Sequence, residues 1–380
     1  LIVNDGIDYG CRPDIEAAYG DKLRPMDAFR DSAPAELVDC VGHDDLMVLM
    51  FTSGTTGRSK AVMLSERNFF TTVECQVKFG DAMLDYKHEH MPEDKNDVLS
   101  NFAILPLFHL GTFICLFVWA CKGWALNLSA DIRDFYRDLG LMHSDAIAVA
   151  PMLMEAIYKD VKRGRRARLN GVWNPCGSSA MFDGAMLAEL AQQGMMITQV
   201  YGMTETCGDG IINYEQDEKH IRAVGKPDDH AEYKLDETGE ICIRGGCVML
   251  GYYKDPEATA EVLDADGWFH TGDLARVDED GFYYITGRKK NIIILDNGEN
   301  VSPEELENLL SKCEAVKECI VREKGKKICA VIYCGEADQQ TVRDFITETN
   351  RTLPLYKRMS AVEFSTEPLP RTGTGKLMRK

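Results

Sequence analysis

Between residues 46 and 202, short apolar runs alternate with helix-patterned segments, and each run ends in a loop. "LMVLMFTSG" reads as a buried strand entering a Gly-rich loop, and "SERNFFTTVECQVKFG" as the following helix, with Ser65 at its cap. "DVLSNFAILPL" is a second strand with a helix after it. "DAIAVAP" is a strand, and Pro151 starts the helix "PMLMEAIYKDVK". "GVWNPCG" and "MMITQVYG" are strands that run into loops, separated by the helix "FDGAMLAELAQQG", which Gly194 closes. Strand, loop and helix in repetition predict an α/β fold, a mainly parallel sheet with helices on both faces. Ligands of such sheets sit beyond the carboxyl ends of the strands.

After Ile221 the texture changes. "GEICIRGGCVMLGYY" and "GWFHTGDLARVDEDGFYYITGR" have short alternating runs broken by Gly and Asp turns, which predict antiparallel sheet or a small barrel. "SPEELENLLSK" is a helix with Ser302 as cap, Pro303 first and glutamates in its first turn. "KICAVIYCG" (strand) and "QQTVRDFITETN" (helix) complete a small α+β unit. The expected divisions are 1–220 for the large part, 221–288 for an antiparallel subdomain and 291–380 for the small C-terminal domain, with the boundary at "GRKKN".

Composition excludes several classes. The 380 residues suggest two or three domains, and 45% hydrophobic content supplies large cores. A net charge of −18 argues against nucleic acid as a partner and against binding an anionic membrane by the whole surface. The local exception, "KDVKRGRRARLNG" with Lys162, Arg163, Arg165, Arg166 and Arg168, reads first as a solvated helix end, and second as an anion-docking patch. Thirteen cysteines include no Cys-x-x-Cys pair, which leaves zinc and thioredoxin-type readings without support and fits buried thiols in a reducing cytoplasm. The most apolar window, 110–121, is too short for a transmembrane segment, and no signal peptide is read. The chain begins at Leu1, so its natural start is expected upstream. Nothing in the sequence sets an oligomeric state.

Five loops carry candidate chemistry. "FTSGTTGRSKAVMLS", residues 51–65, offers backbone N–H groups and the hydroxyls of Thr52, Ser53, Thr55, Thr56 and Ser59 to an oxyanion, with Gly54 and Gly57 for close approach and Lys60 for charge. It is not the P-loop pattern, since its glycines are too close and Ala61 follows the lysine. "YGMTE" places Tyr201, Gly202, Thr204 and Glu205 together at a strand end; a carboxylate beside a phosphate loop suits Mg2+. "GWFHTGDLA" presents Asp273 after a Thr-Gly turn, where it can accept two ribose hydroxyls. "GRKKN" adds Arg288, and "PRTGTGKLMRK" carries Lys376 on a Gly-rich tail. Each motif alone also reads as a capped turn or a solvated terminus.

In this order, from about residue 46 to residue 376, the motifs resemble those of the adenylate-forming superfamily: acyl-CoA synthetases, peptide-synthetase adenylation domains and firefly-type luciferases. The resemblance implies a large N-terminal domain of mainly parallel sheets with a barrel-like part, then a small mobile C-terminal domain. It implies that the 51–65 loop guides the β- and γ-phosphates of ATP. Thr204 would bind the α-phosphate and Glu205 the Mg2+; Tyr201 with Gly202 would lie against adenine, and Gly177, Ser178 and Ser179 on its other side. Asp273 and Arg288 would hold the ribose. Lys290 takes the hinge position, Lys376 that of the lysine reaching the substrate carboxylate and α-phosphate, and His109 in "LPLFHLG" the position beside the acyl carboxylate.

The implied activity is attack of a carboxylate on ATP, release of pyrophosphate, and transfer of the acyl group from the adenylate to the thiol of CoA, with AMP leaving. "RKKNIIILDNGENVSPEELE" is most similar to long-chain fatty acyl-CoA synthetases, and no acidic residue stands where amino-acid-activating relatives hold an ammonium. A fatty acid is the expected substrate, with "FHLGTFICLF" as one wall of its pocket. The alternatives are a ligase that loads an acyl carrier protein, a truncated nucleotide-binding fragment without activity, and, more remotely, a luciferase-type oxygenase. Three features depart from the family pattern. Only fifty residues precede Phe51, "CGSSAM" replaces Gly-Gly-Ala-Pro, and the stretch from Lys162 to Trp173 is short.

Overall fold

The computed structural model describes residues 42–52, 59–129, 131–178 (of Ser178 the backbone alone), 182–208, 210–295, 299–325, 327–371 and 377–378, and the backbone pairing at 2–3 and 24–25. The chain divides into two compact units, 1–42 and 43–380. In the first, β1 (Ile2–Val3) pairs in parallel with β2 (Arg24–Pro25).

The second unit opens with β3 (Leu46–Thr52) and β4 (Lys60–Ser65), which form an antiparallel hairpin with Thr52 opposite Lys60 and Met50 opposite Val62. This corrects the expected strand–loop–helix reading: the Gly-rich loop joins two strands, and the helix begins only after the second. β3 is not a buried strand either, since Leu46, Met47 and Phe51 are 43%, 46% and 68% exposed. Val62 and Leu64 of β4 carry the burial instead.

α1 (Glu66–His90) starts where Ser65 ends the strand. The Ser65 hydroxyl accepts from the Asn68 N–H, while the Asn68 side chain accepts from Ser65 N–H at 2.8 Å, a complete capping box. Lys87, His88 and His90 sit in the last turn, where the helix dipole favours cations.

Six strands follow: β5 (Ser100–Ala103), β6 (Ala125–Leu128), β7 (Ala146–Val149), β8 (Asn174–Ser178), β9 (Thr198–Gly202) and β10 (Gly210–Asn213). They lie in the order β10-β9-β8-β7-β5-β6, parallel except at the β10 edge. Between them run α2 (Leu110–Lys122), α3 (Phe135–Leu141), α4 (Pro151–Lys162) and α5 (Gly184–Gln192). The period of two along the strands feeds two cores. Ala146 and Met196 face a core with Phe69, Ile114 and Val118 from α1 and α2. Their neighbours Ile147 and Ile197 face another with Leu139, Met154 and Leu187 from α3 to α5. Helices thus cover both faces, as the alternation predicts.

Next come β11 (Ala231–Leu235), β12 (Glu240–Gly245), β13 (Gly251–Tyr252), α6 (Pro256–Ala260), β14 (Phe269–Val277) and β15 (Tyr283–Arg288). β11, β12, β14 and β15 make the expected antiparallel sheet. β13 instead returns to β4, pairing Tyr252 with Val62. β16 (Ile293–Ile294), β17 (Asn300–Val301), α7 (Pro303–Leu310), β18 (Glu318–Lys324), β19 (Lys327–Tyr333), α8 (Gln339–Thr352) and β20 (Ala361–Ser365) close the chain around a core that includes Val301, Leu306, Val321, Ile332 and Ile346.

Among the described residues no helix is long and apolar enough to cross a membrane. Most of the described cysteines are buried. In the basic stretch, Arg166 donates to the carbonyls of Gln193 and Gly194 at the end of α5, and Arg168 pairs with the buried Asp160 at 3.0 Å. Those two cations are engaged within the fold.

Candidate active site

At the carboxyl end of β9 the chain turns through a 3-10 segment, Thr204–Thr206. Met203 holds this turn: its carbonyl accepts from the N–H groups of Thr206 and Gly208. Cys207 has φ 56° and Gly208 φ 74°, so the chain reverses tightly. A Cβ on Gly208 would lie 3.5 Å from Leu110 Cγ, which sets the turn beside the first residue of α2 and His109 at its N-cap.

Glu205 is half-buried here, and its Oε1 accepts from the Tyr252 hydroxyl at 2.9 Å. Its Oε2 and the Thr204 hydroxyl have no hydrogen-bond partner among the described residues. Lys60 Nζ lies 4.4 Å above the Tyr252 ring. The β4–β13 pairing therefore brings Lys60, Tyr252 and Glu205 into one row. Burial, and next the Glu205 carboxylate, push the Tyr252 phenol far above its ordinary pKa, so it stays protonated and donates.

A second group forms on β14 and β15. Asp273 and Arg288 are directly opposite each other across the strands, and Arg288 Nε lies 2.7 Å from Asp273 Oδ1. The Tyr201 hydroxyl donates to Asp273 Oδ2 at 3.1 Å. Asp273 is only 4% exposed, which a carboxylate tolerates because a guanidinium and a phenol face it. Burial first, then the charge of Asp273, raise the Tyr201 pKa well above its usual value. Three residues from three separated motifs thus meet at one carboxylate.

Gly177, near the end of β8, is one strand over from Tyr201. A Cβ there would come within 2.4 Å of the Phe182 ring, so any larger residue would have to displace that ring. Ser178 continues β8 opposite Val200, and Gly202 pairs with Gly210. Thr52 closes the base of the 51–65 loop, its carbonyl accepting from Ser59 Oγ at 2.7 Å. Ser53, Gly54, Thr55, Thr56, Gly57, Ser179 and Lys376 lie outside the described residues. Lys290 is exposed in the 3-10 turn Lys289–Asn291 that follows Arg288.

Part of the expected acyl wall packs into the core. Phe113 and Phe117 pack edge-to-face on Phe69 and on each other, with centroids 5.3–5.7 Å apart, and Ile114 is fully buried. Leu107 and Phe108, just before His109, are 44% and 80% exposed and are the apolar surface nearest to it in sequence. Sequence reasoning missed Tyr252 and Phe182. The adjacent Tyr252 and Tyr253 in "GYYKDP" were the available signal, because neighbours on a strand face opposite ways and one of them must turn inward.

The model of the AMP-binding enzyme family matches residues 11–253, and that of the AMP-binding enzyme C-terminal domain matches residues 305–376. The chain belongs to the AMP-binding enzyme family. It is similar to 4-coumarate–CoA ligase 3 of Oryza sativa subsp. japonica, 30% identical over 93% of this chain and 66% of that protein. It is also 30% identical to the long-chain-fatty-acid–CoA ligase of Salmonella typhimurium, over 89% of this chain and 61% of the relative. The chain thus spans a little under two thirds of the length of these curated relatives. Its fold is that of o-succinylbenzoate CoA synthetase from Bacillus subtilis solved with an acyl-adenylate intermediate (TM-score 0.77, 24% identity, all of this chain and 77% of that one). The same Bacillus enzyme has also been solved with ATP and a magnesium ion.

Proposed function

We propose that this chain activates a carboxylic acid with ATP, releasing pyrophosphate, and passes the acyl group from the adenylate to the thiol of CoA. The observation that carries the reading is the meeting of Tyr201, near the carboxyl end of β9, with Asp273 and Arg288. In this reading Asp273 and Arg288 hold the ribose hydroxyls and Tyr201 lies along adenine with Gly202, while Gly177, Ser178 and Ser179 take the opposite face of the base. Thr204 donates to the α-phosphate with its free hydroxyl. The 51–65 loop and Lys60 gather the β- and γ-phosphates. His109 lies beside the acyl carboxylate, and Lys376 brings a cation to that carboxylate and the α-phosphate.

The residues fit Mg2+. The ion takes one or two protein carboxylates and completes its shell with water and substrate phosphate. Glu205 offers one oxygen without a partner and a second oriented by Tyr252. When bound, Mg2+ supplies positive charge to the triphosphate. The protein's part is to let two anions approach. Lys60, Arg288 and Lys376 offset their repulsion, and preorganised donors stabilise charge as the α-phosphate becomes crowded. Displacement forms the acyl–phosphate bond and breaks the bond to pyrophosphate. Attack by the CoA thiolate then forms the thioester and expels AMP.

A fatty acid is the proposed substrate. The likeness to the Salmonella ligase and the uncovered Leu107 and Phe108 before His109 support it. A hydroxycinnamic acid is the second reading, favoured by the likeness to the rice ligase. The test is acid-dependent exchange of labelled pyrophosphate into ATP, across fatty acids of graded length and hydroxycinnamic acids. Products are then assayed with CoA and with a holo acyl carrier protein. Exchange with fatty acids and thioester with CoA are expected. Exchange with hydroxycinnamates alone overturns the substrate, and ATP binding without exchange overturns the activity.

A further inference from the structure

β12 begins with a carboxylate that has no place on a buried strand unless something holds it. Glu240 is 3% exposed. Its Oε1 accepts from the backbone N–H of Gly272 at 2.7 Å, and its Oε2 receives Lys289 Nζ at 2.6 Å. His270 Nδ1 stands 3.6 Å from Oε2. A buried carboxylate with one amide and one ammonium against it is compensated, and removing either partner exposes the desolvation cost of the other.

Both partners adjoin the proposed ribose clamp. The β12–β14 register shifts between Glu240 and Cys242, so 271–273 bulge from the ladder. Gly272 takes φ 72° there, a conformation open to glycine. Two side chains replace the lost ladder bonds. The Glu240 carboxylate takes Gly272 N–H, and the Thr271 hydroxyl donates to the Ile241 carbonyl while accepting from Asp273 N–H. The bulge therefore aims Asp273, and Glu240 sets the bulge. On the other side, Lys289 is the residue directly after Arg288 and opens the 3-10 turn that contains Lys290.

We infer that Glu240 is a positioning residue that aims Asp273 at the nucleotide and, through Lys289, ties that aim to the segment following Arg288. The inference rests on the reading of Asp273 and Arg288 as the ribose clamp. Its consequence is a coupling: nucleotide is held firmly while Lys289 is on Glu240, and less firmly when the segment moves and takes Lys289 away.

The experiment compares AMP affinity by calorimetry, and KM and kcat for ATP in pyrophosphate exchange, in the full chain and in Glu240→Leu, Glu240→Gln, Lys289→Met and the Glu240→Gln/Lys289→Met double variant. Glu240→Leu removes both contacts but fills the volume. It is expected to weaken AMP by about ten- to a hundredfold, the worth of a buried charge-assisted hydrogen bond. KM for ATP rises in step, with kcat at saturating nucleotide retained; a purely structural role would lower the melting temperature and kcat but leave affinity unchanged. Glu240→Gln and Lys289→Met are each expected to lose a smaller factor, and their double variant no more than Glu240→Gln alone. Parental AMP affinity in Glu240→Leu overturns the positioning role, and strictly additive losses overturn the tie to Lys289. Should Glu240→Leu not fold, the half-exposed Lys289 decides, and parental affinity in Lys289→Met overturns the inference. A parent chain that binds no AMP defeats the reading of the nucleotide site and this inference with it; a parent that binds AMP confines failure to Glu240.

Discussion

At Glu205 the two oxygens of one carboxylate have different surroundings. One accepts from Tyr252, and the other is open. Glu205→Gln keeps the shape and removes the charge, so Mg2+-dependent exchange is expected to fall below detection while the melting temperature stays near the parent's. Tyr252→Phe tests the orienting bond alone. It should raise the Mg2+ concentration for half-maximal exchange by ~10-fold, the usual effect of losing a group that orients a metal ligand. An unchanged Mg2+ titration in both variants would overturn the proposed role of Glu205 as a metal ligand. Glu205 was legible in sequence because "YGMTE" ends an apolar run with a polar cluster. Tyr252 was not, because pairing it with Glu205 depends on a strand 47 residues further on folding back.

Among the elements, α1 is tied to distant chain through its cap. Asn68 completes the cap of Ser65, and its amide also donates to the carbonyls of Gly246 and Val248, both at 2.7 Å. Ser65→Ala is expected to cost about 1 kcal/mol by urea denaturation, as for an ordinary cap. Asn68→Ala should cost about 3 kcal/mol, since it also leaves two carbonyls without donors. Equal losses would mean the long-range bonds contribute nothing. The cap was visible in sequence as a Ser before a helical pattern; the hairpin strand ahead of it was not. "KAVMLS" abuts the cap with no turn residue between, so strand and helix merge in a one-dimensional reading. The loop at 278–281 offers a pH test. His220 stacks on Phe282 at 3.9 Å and sets its ring nitrogens on Asp217 and Asp280 at 2.9 and 3.2 Å. The Asp217 bond above all raises its pKa over the ordinary value. The protonated form is thus favoured in the fold. Its stabilisation is fully present below the unfolded pKa of about 6.5 and is lost as pH rises through the higher folded value. The melting temperature of the parent should decline across that window relative to His220→Gln, in which the difference disappears; parallel curves would refute the clamp.

For the whole molecule, the proposed pivot is Lys290. Around it Ser302 Oγ donates to the Thr286 carbonyl at 2.7 Å, and Asn291 Nδ2 to Glu304 at 2.6 Å, so the start of α7 rests on the end of β15. Lys290→Pro fixes φ and removes a backbone donor. It is expected to leave pyrophosphate exchange within about twofold of the parent but to slow thioester formation at least ~10-fold, since in the proposed reading reorientation about this pivot serves only the second step. Equal loss of both steps would place the pivot elsewhere. The parallel sheet and both flanking layers were legible because their periodicity is local. The return of β13 to β4 was not, because no local pattern encodes which distant edge a two-residue strand will join. That return makes residues 43–220 and 221–288 one interlocked body: Asn68 reaches 180 residues along the chain to Val248, and Tyr252 lies against β4. A gene divided near codon 220 would therefore yield two polypeptides, the first lacking the strand that edges β4 and the second carrying β13 with no strand to join. Activity regained on mixing them would rise with the product of their concentrations and level off once either piece is in excess.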